Sequence, residues 1–300
     1  MNEKLSGILI PVATPFDAQG SLSVTMLRDN LAKWNQTGVR GYMCLGSNGE
    51  FRSLSDDESI TVATEAIRLK GYKTLIVGVG RESLRLTLAF LDRLMDLGPG
   101  IDYISVLTPH YFASLMDNQA LIDYYEAIAE YSKIPVLVYV APGFANSVTV
   151  SPASVRRLAD HPNIHGIKDT SPALLVGYML NAGNRNDFQI MAGSLNNLMT
   201  CLAFGGSGGV VSAANYFPSQ CAQITDLYLS GRREEALTCY INLQRVVMQT
   251  GAKYSVAGLK CCMNLCGFSA GVPRLPVRPL SAKQEAEIRT ILISSGMVGT

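Results

Sequence analysis

Short apolar runs and longer amphipathic stretches alternate along most of the chain. The runs are Gly7–Val12, Gly41–Leu45, Thr74–Val79, Asp102–Leu107, Pro135–Val140, Ile164–Lys168, Phe188–Ala192 and Gly209–Ala213. They are close to continuous in Val, Ile and Leu. A strand with one wet face alternates apolar and polar residues, so runs without alternation fit strands covered on both faces, as in a parallel sheet. Between them, Leu27, Leu31 and Trp34 fall at i, i+4, i+7, as do Leu121, Tyr125 and Ile128. That spacing places each trio on one face of a helix. Ser55-Asp-Asp-Glu58 reads as a capping box, and Ser151-Pro152 and Ser171-Pro172 as helix starts.

Eight such strand–helix units, about 20 to 34 residues apart, predict an α/β fold of the (β/α)8 TIM barrel type over residues 1–217. From Pro218 the pattern is helical throughout. Residues 218–300 therefore read as an extension of about four helices packed on the barrel or on a neighbouring subunit. The competing arrangement, a doubly wound open sheet, usually has fewer strands and often a phosphate-binding first turn. Here the first turn, Thr14-Pro15-Phe16, has no glycine cradle.

Composition narrows the function classes. The 25 basic and 24 acidic residues nearly cancel, which argues against a nucleic-acid partner and gives no polybasic membrane anchor. No run approaches the ~20 apolar residues of a membrane span. The first residues are broken by Pro11 and Pro15 and do not read as a signal peptide. Only 16% of residues are charged, low for 300 residues, which suggests surface covered in a homo-oligomer. Seven cysteines, several in apolar runs, suit reduced thiols and a cytoplasmic protein. With no C-x-x-C pair and three histidines, no structural metal site is expected.

In a barrel of this type, catalytic groups stand at the carboxyl ends of strands and in the loops that follow. Lys168 ends the sixth run. A lysine facing the barrel interior is desolvated, which favours the neutral amine, and a neutral amine can attack a ketone to form a Schiff base. A surface lysine at a strand end is the plainer alternative. Asp169, next to it, should point the other way and is read as structural, capping the helix from Ser171. Tyr139 ends the fifth run, where its phenol could move protons or simply fill the interior. Gly46-Ser47-Asn48-Gly49 could hold a carboxylate with backbone N–H groups and a hydroxyl, or be an ordinary turn. Gly205–Gly209 could cradle a phosphate, as many barrels do at their last strands, or be a tight loop. Gly78-Val-Gly80-Arg81 and His110 carry weaker signals, and Cys262-x-x-x-Cys266 reads as helix core.

Taken in order, Pro11-Val-Ala-Thr-Pro-Phe16, Gly46-Ser-Asn-Gly-Glu50, Thr108-Pro-His-Tyr111, Tyr139-Val-Ala-Pro-Gly143, Gly166-Ile-Lys-Asp169 and Gly209-Val-Val-Ser212 resemble the dihydrodipicolinate synthase / N-acetylneuraminate lyase family of class I pyruvate aldolases. The resemblance covers nearly the whole chain. It implies that Lys168 forms an imine with a 2-oxo acid and that Tyr139 carries protons beside it. It implies that Ser47 and Asn48 bind the substrate carboxylate and that Ser47 links Tyr139 to Tyr111. In family tetramers, the residue like Tyr111 comes from the neighbouring subunit. Thr170, Gly193 and Val210 would line the rest of the pocket. No metal or organic cofactor is implied, and the expected assembly is a homotetramer built as a dimer of dimers.

Two departures narrow the branch. The dihydrodipicolinate synthase branch carries Arg directly after Pro-Gly, where it binds the second substrate; here Phe144 follows Gly143 and cannot make that charge-assisted pair. Ser47-Asn48, with Phe51 after Glu50, is more similar to the 4-hydroxy-2-oxoglutarate aldolase branch. The expected activity is a lyase that makes or cleaves a 4-hydroxy-2-oxo acid, with pyruvate as one partner; 2-keto-3-deoxy sugar acids remain open as substrates. Ser171, Asn146, Arg81 and His110 are candidates for holding the distal half of the substrate. The alternatives are dihydrodipicolinate synthase itself, a 2-oxo acid sensor without turnover, and a phosphate-dependent isomerase using Gly205–Gly209.

Overall fold

Every residue of the first five strands is buried, as their uninterrupted apolar character requires: Gly7–Pro11 (β1), Gly41–Cys44 (β2), Thr74–Gly78 (β3), Tyr103–Leu107 (β4) and Val136–Val140 (β5). Ile164–Asp169 (β6), Gln189–Ala192 (β7) and Gly208–Val210 (β8) complete a closed barrel in sequential order. The computed structural model describes residues 3–183, 185 and 187–298. The strand pairs run parallel, and β8 pairs with β1 to close the sheet. Helices follow the strands: Val24–Asn35 (α1), Asp56–Leu69 (α2), Leu84–Met95 (α3), Asn118–Tyr131 (α4), Pro152–Asp160 (α5), Leu175–Asn181 (α6), Leu195–Ala203 (α7) and Pro218–Leu229 (α8). Arg233–Gln249 (α9), Ser255–Leu265 (α10) and Ala282–Ser294 (α11) extend the chain beyond the eighth unit, so that among the described residues four α-helices stand from Pro218 onward.

The chain divides into two compact units. The first contains the segment up to Leu9, Arg40–Met43 and Thr74–Val211. Within it, Leu107, Tyr139, Lys168 and Met191 are partners across successive strands and form one row. Partners in a parallel sheet share a face, so these four side chains project to one side. Gly166 precedes Lys168 by two residues at φ +156°, where a Cβ would collide with the Gln189 carbonyl. Only glycine lets β6 and β7 approach at that point.

The second unit contains Ile10–Val39, Cys44–Lys73 and the chain from Ser212 onward. The capping box read at Ser55 is present: Ser55 Oγ accepts from Glu58 N, and Glu58 Oε2 accepts from Ser55 N. Leu27, Leu31 and Trp34 are fully buried, and the Trp34 indole donates to the Asn215 carbonyl at 3.1 Å. The Asn215 side chain accepts from Ala13 N at 3.0 Å and donates to Pro11 O at 2.9 Å. Burying each such large apolar side chain contributes about 1.5–3 kcal/mol.

Two sequence readings shift. The eighth strand was expected over Gly209–Ala213, but β8 stops at Val210 and Ser212–Asn215 forms a 3-10 turn. The Asn215 side chain bonds that lock this turn leave no strand register to continue. Ser171-Pro172 does not open a helix; α6 begins at Leu175. Ser171 Oγ instead donates to Asp169 Oδ2 at 2.7 Å and accepts from Leu174 N at 3.1 Å, closing a local turn before the helix.

Candidate active site

Lys168 sits on β6 directly opposite Tyr139 of β5. Both side chains are 4% exposed. The Lys168 Nζ lies 3.9 Å from the centroid of the Tyr139 ring and donates to Met43 Sδ at 3.5 Å. Among the described residues no carboxylate pairs with this amine. Burial without a counter-charge lowers its pKa from 10.5 to about 7. A large fraction of the amine is therefore neutral near pH 7, as nucleophilic attack on a carbonyl requires.

The neighbouring positions are ordered by short local contacts. Asp169 is fully buried and faces away from Lys168 in strand alternation. Its carboxylate accepts from Ser171 N at 2.9 Å and from Ser171 Oγ. Burial raises its pKa to about 6 against the lowering effect of those two bonds. The reading of Asp169 as a structural residue agrees with this, although it closes a turn rather than capping a helix. Thr170 Oγ1 donates to Val140 O at 3.2 Å, and Gly193 packs so closely on Thr170 that a Cβ would strike its methyl group. Thr170 and Gly193 are thus brought together at the ends of β6 and β7. Val210 is fully buried at the end of β8, where it pairs with Leu9.

The loop after β4 carries His110 and Tyr111. Its backbone is held by Glu82, whose Oε2 accepts from both His110 N and Tyr111 N at 2.8 Å. His110 Nδ1 lies 3.1 Å from Thr108 O and 3.3 Å from Glu82 Oε1. Both of these neighbours of Nδ1 are acceptors, so a hydrogen on Nδ1 would pair with them. Tyr111 is 76% exposed, with its ring edge-on to Phe112 at 4.9 Å.

The residues considered for the distal half of the substrate separate clearly. Ser171 is buried with its hydroxyl engaged by Asp169, so it is not available to a ligand. The Arg81 guanidinium lies 3.9 Å over the Phe90 ring and contacts Val79 O and Gly80 O, both at 3.3 Å, which draws it back onto its own loop. Asn146 is exposed and left-handed at φ +47°. Phe144, in the position of the missing Arg, is half exposed.

Ser47 and Asn48 belong to the second unit, in the 3-10 turn Ser47–Gly49 after β2. Both are part-buried, and Asn48 Nδ2 donates to Ser212 Oγ at 2.6 Å. Glu50 closes the turn in a left-handed conformation, φ +51°, which costs a non-glycine residue roughly 1–2 kcal/mol.

Other motifs do not join this set. Gly205, Gly206 and Ser207 precede β8, so they lie at its amino end rather than in the loop after it. A barrel phosphate site follows the last strands, and this run cannot supply one there. Gly205 and Gly206 instead line a cleft with Met179, Phe188 and Phe204 near the start of β7. All seven cysteines are free thiols. Among the described residues, no three His, Cys, Asp or Glu side chains cluster as metal ligands would.

Two contributors were not legible in the sequence. Met43 is a plain apolar residue in a strand, and only the closed barrel brings its sulfur to Lys168. Glu82 stands 28 residues before His110, with no spacing rule to connect them. Its place beside Arg81 in the loop after β3 is the only hint.

A buried lysine of lowered pKa facing a tyrosine inside a (β/α)8 barrel has the chemistry that an imine-forming class I enzyme needs. The profile of the dihydrodipicolinate synthetase family matches residues 4–294, and the chain belongs to that family of pyruvate-dependent class I lyases. The family works through a Schiff-base lysine. A 4-hydroxy-tetrahydrodipicolinate synthase of Exiguobacterium sp. is 28% identical over 94% of this chain and 95% of its own. A protein of Emericella nidulans named "Probable 4-hydroxy-2-oxoglutarate aldolase, mitochondrial" is 34% identical over 77% of this chain and 75% of its own. YagE, a prophage protein of the same family from E. coli K12 solved in complex with pyruvate, superposes with a TM-score of 0.89 at 27% identity, covering 97% of this chain and 98% of its own. Among the described residues no helix is long and apolar enough to cross a membrane.

Proposed function

We propose that the protein cleaves a 4-hydroxy-2-oxo acid to pyruvate and an aldehyde, or joins the two, through an imine on Lys168. The observation that carries this reading is the Lys168 amine, buried without a counter-ion and stacked on Tyr139. The neutral amine attacks the keto carbon, and Tyr139 gives up its phenolic proton as water leaves, so that a protonated imine forms beside a phenolate. In cleavage, Tyr139 takes the proton of the 4-hydroxyl as the C3–C4 bond breaks. The bond's electron pair moves into the imine, giving an enamine, and the aldehyde leaves. Protonation at C3 and hydrolysis then release pyruvate and return the free amine. By family resemblance, Ser47 and Asn48 take the carboxylate, and Thr170, Gly193 and Val210 line the remainder. No organic cofactor or metal enters these steps.

Phe144 separates the substrate candidates. With no guanidinium after Gly143, a carboxylate on the aldehyde half has no fork to bind at that position, which disfavours aspartate semialdehyde and, by the same charge argument, a glyoxylate half. The similarity to the Exiguobacterium synthase keeps that condensation as the second reading. The exposed Tyr111 and its edge-on Phe112 suit a homotetramer in which this loop reaches a neighbouring subunit, and the expected location is cytoplasmic.

The test has two parts. Pyruvate and borohydride should leave a reduced adduct on Lys168, mapped by mass spectrometry. A panel of 4-hydroxy-2-oxo acids, 2-keto-3-deoxy sugar acids and aspartate semialdehyde, read by pyruvate release or consumption, should then identify the substrate class. An adduct without turnover of any panel member would favour a 2-oxo acid sensor. No adduct at all would remove the imine.

A further inference from the structure

The C-terminal helices place a buried charge directly against the Ser47–Asn48 turn. Lys260, on α10, is 1% exposed and stands 2.7 Å from Glu50 Oε1, whose own side chain is 4% exposed. Lys260 also donates to Val272 O at 2.9 Å. Glu50 Oε2 accepts from Arg274 N at 2.9 Å. The Phe16 ring lies 4.1 Å from both the Lys260 ammonium and the Arg274 guanidinium. Arg274 is in turn held by Glu58 at 2.7 Å and 2.9 Å and donates to Gly20 O.

The backbone of Glu50 is the closing residue of the turn. Its N–H donates to Ser47 O at 3.1 Å, and its carbonyl accepts from Ser53 N at 2.8 Å. Its left-handed conformation is one that glycine adopts more easily. The side chain carried there is engaged at both oxygens, by Lys260 and by Arg274 N. On the other side of the turn, a Cβ on Gly49 would meet Val12 O at 3.0 Å and Thr14 Oγ1 at 3.2 Å, so the turn has no slack toward the end of β1. A buried ion pair is weak evidence for stability, because desolvation offsets its attraction; its best-attested use is to select one geometry.

We propose that Lys260 is a positioning residue: its ion pair with Glu50 locks the left-handed closure of the Ser47–Asn48 turn and thereby sets the affinity for the substrate carboxylate. The inference rests on the reading that Ser47 and Asn48 bind that carboxylate. Lys260 and Glu50 touch no substrate. They act through the turn, so their loss weakens binding and leaves the Lys168 amine unchanged.

Glu50→Gln, Lys260→Met and the charge-keeping Lys260→Arg in the full-length protein test this. Borohydride trapping over a pyruvate concentration series gives the half-saturating concentration and the limiting extent. For Glu50→Gln and Lys260→Met the half-saturating concentration should rise roughly 10- to 100-fold, the scale of a small misplacement of binding groups. The limiting extent and its pH midpoint should not move, and Lys260→Arg should recover most of the affinity. Hydrogen exchange without pyruvate should speed up at Gly49 and Glu50 in the two weakened variants. A folded variant with native half-saturation, or with native exchange at the turn, overturns the proposal. Should Lys260→Met not fold, Glu50→Gln, which keeps the side-chain shape, decides. Absence of an adduct in the native protein would overturn the imine reading instead, and the exchange result would still judge the lock.

Discussion

The Lys168 ammonium nitrogen stands 3.9 Å from the centre of the Tyr139 ring. That contact and the burial around it pull the amine in opposite directions. An aromatic face attracts a cation by about 0.5–2 kcal/mol. A pKa lowered from 10.5 to about 7 corresponds to roughly 5 kcal/mol in favour of the neutral form. Desolvation therefore wins, and the ring serves to hold the nitrogen in place without keeping it charged.

Replacing Lys168 by Met should abolish the pyruvate adduct and reduce turnover by several orders of magnitude, with the fold retained. Intact mass after borohydride and a circular dichroism spectrum check both halves. An adduct that persists on the variant would move the nucleophile elsewhere.

Trapping should accelerate with pH through a midpoint near 7, because the neutral amine is the nucleophile. The stability consequence has the same sign. The unfolded chain keeps this lysine protonated up to about 10.5 while the folded chain has released the proton above about 7, so stability should rise with pH across that interval. Lys168→Met should flatten this part of the curve, measured by urea midpoints from pH 6.5 to 10. A native slope in the variant would show that the amine is not the source.

Tyr139→Phe keeps the ring against Lys168 and removes only the phenolic oxygen. The adduct should still form, while kcat should fall about 10²- to 10⁴-fold. Steady-state kinetics beside trapping on the same preparation separates these effects. Near-native turnover would make the phenol dispensable.

Glu82→Ala removes the shared acceptor of the His110 and Tyr111 backbone N–H groups. Leaving the part-buried His110 donor unpaired should cost about 1–3 kcal/mol, while the exposed Tyr111 N–H turns to water. Glu82→Gln, which keeps one oxygen, should cost less. Chemical denaturation ranks the two; equal stability of Ala and native protein would mean that water replaces the carboxylate without loss.

Local chemistry made much of the architecture readable. Continuous Val, Ile and Leu runs announce strands buried on both faces, whatever surrounds them. Ser55 and Glu58 sit three residues apart, so their reciprocal cap needs no distant partner. Lys168 drew notice because it interrupts an apolar strand at its carboxyl end; that pattern also fits a surface lysine, and the family resemblance is what favoured the buried one. Ser171-Pro172 misled, because the same short-range rule could not register the Asp169 carboxylate two residues earlier, which captures the serine.

The amino-acid order alone determined the alternation of strands and helices and the barrel class, and the family resemblance it carries singled out Lys168 and Tyr139 as the proposed chemistry-bearing pair. Closure of the sheet decided the rest. It brought Met43 from β2 to the amine of β6, and it aligned Tyr139 with Lys168 in one row. The folded chain also joined Lys260 to Glu50 across 210 residues. These contacts depend on register and chain return, and no local pattern encodes either. A pKa near 7 likewise comes from the absence of water and counter-charge around Lys168, a property of its surroundings in space.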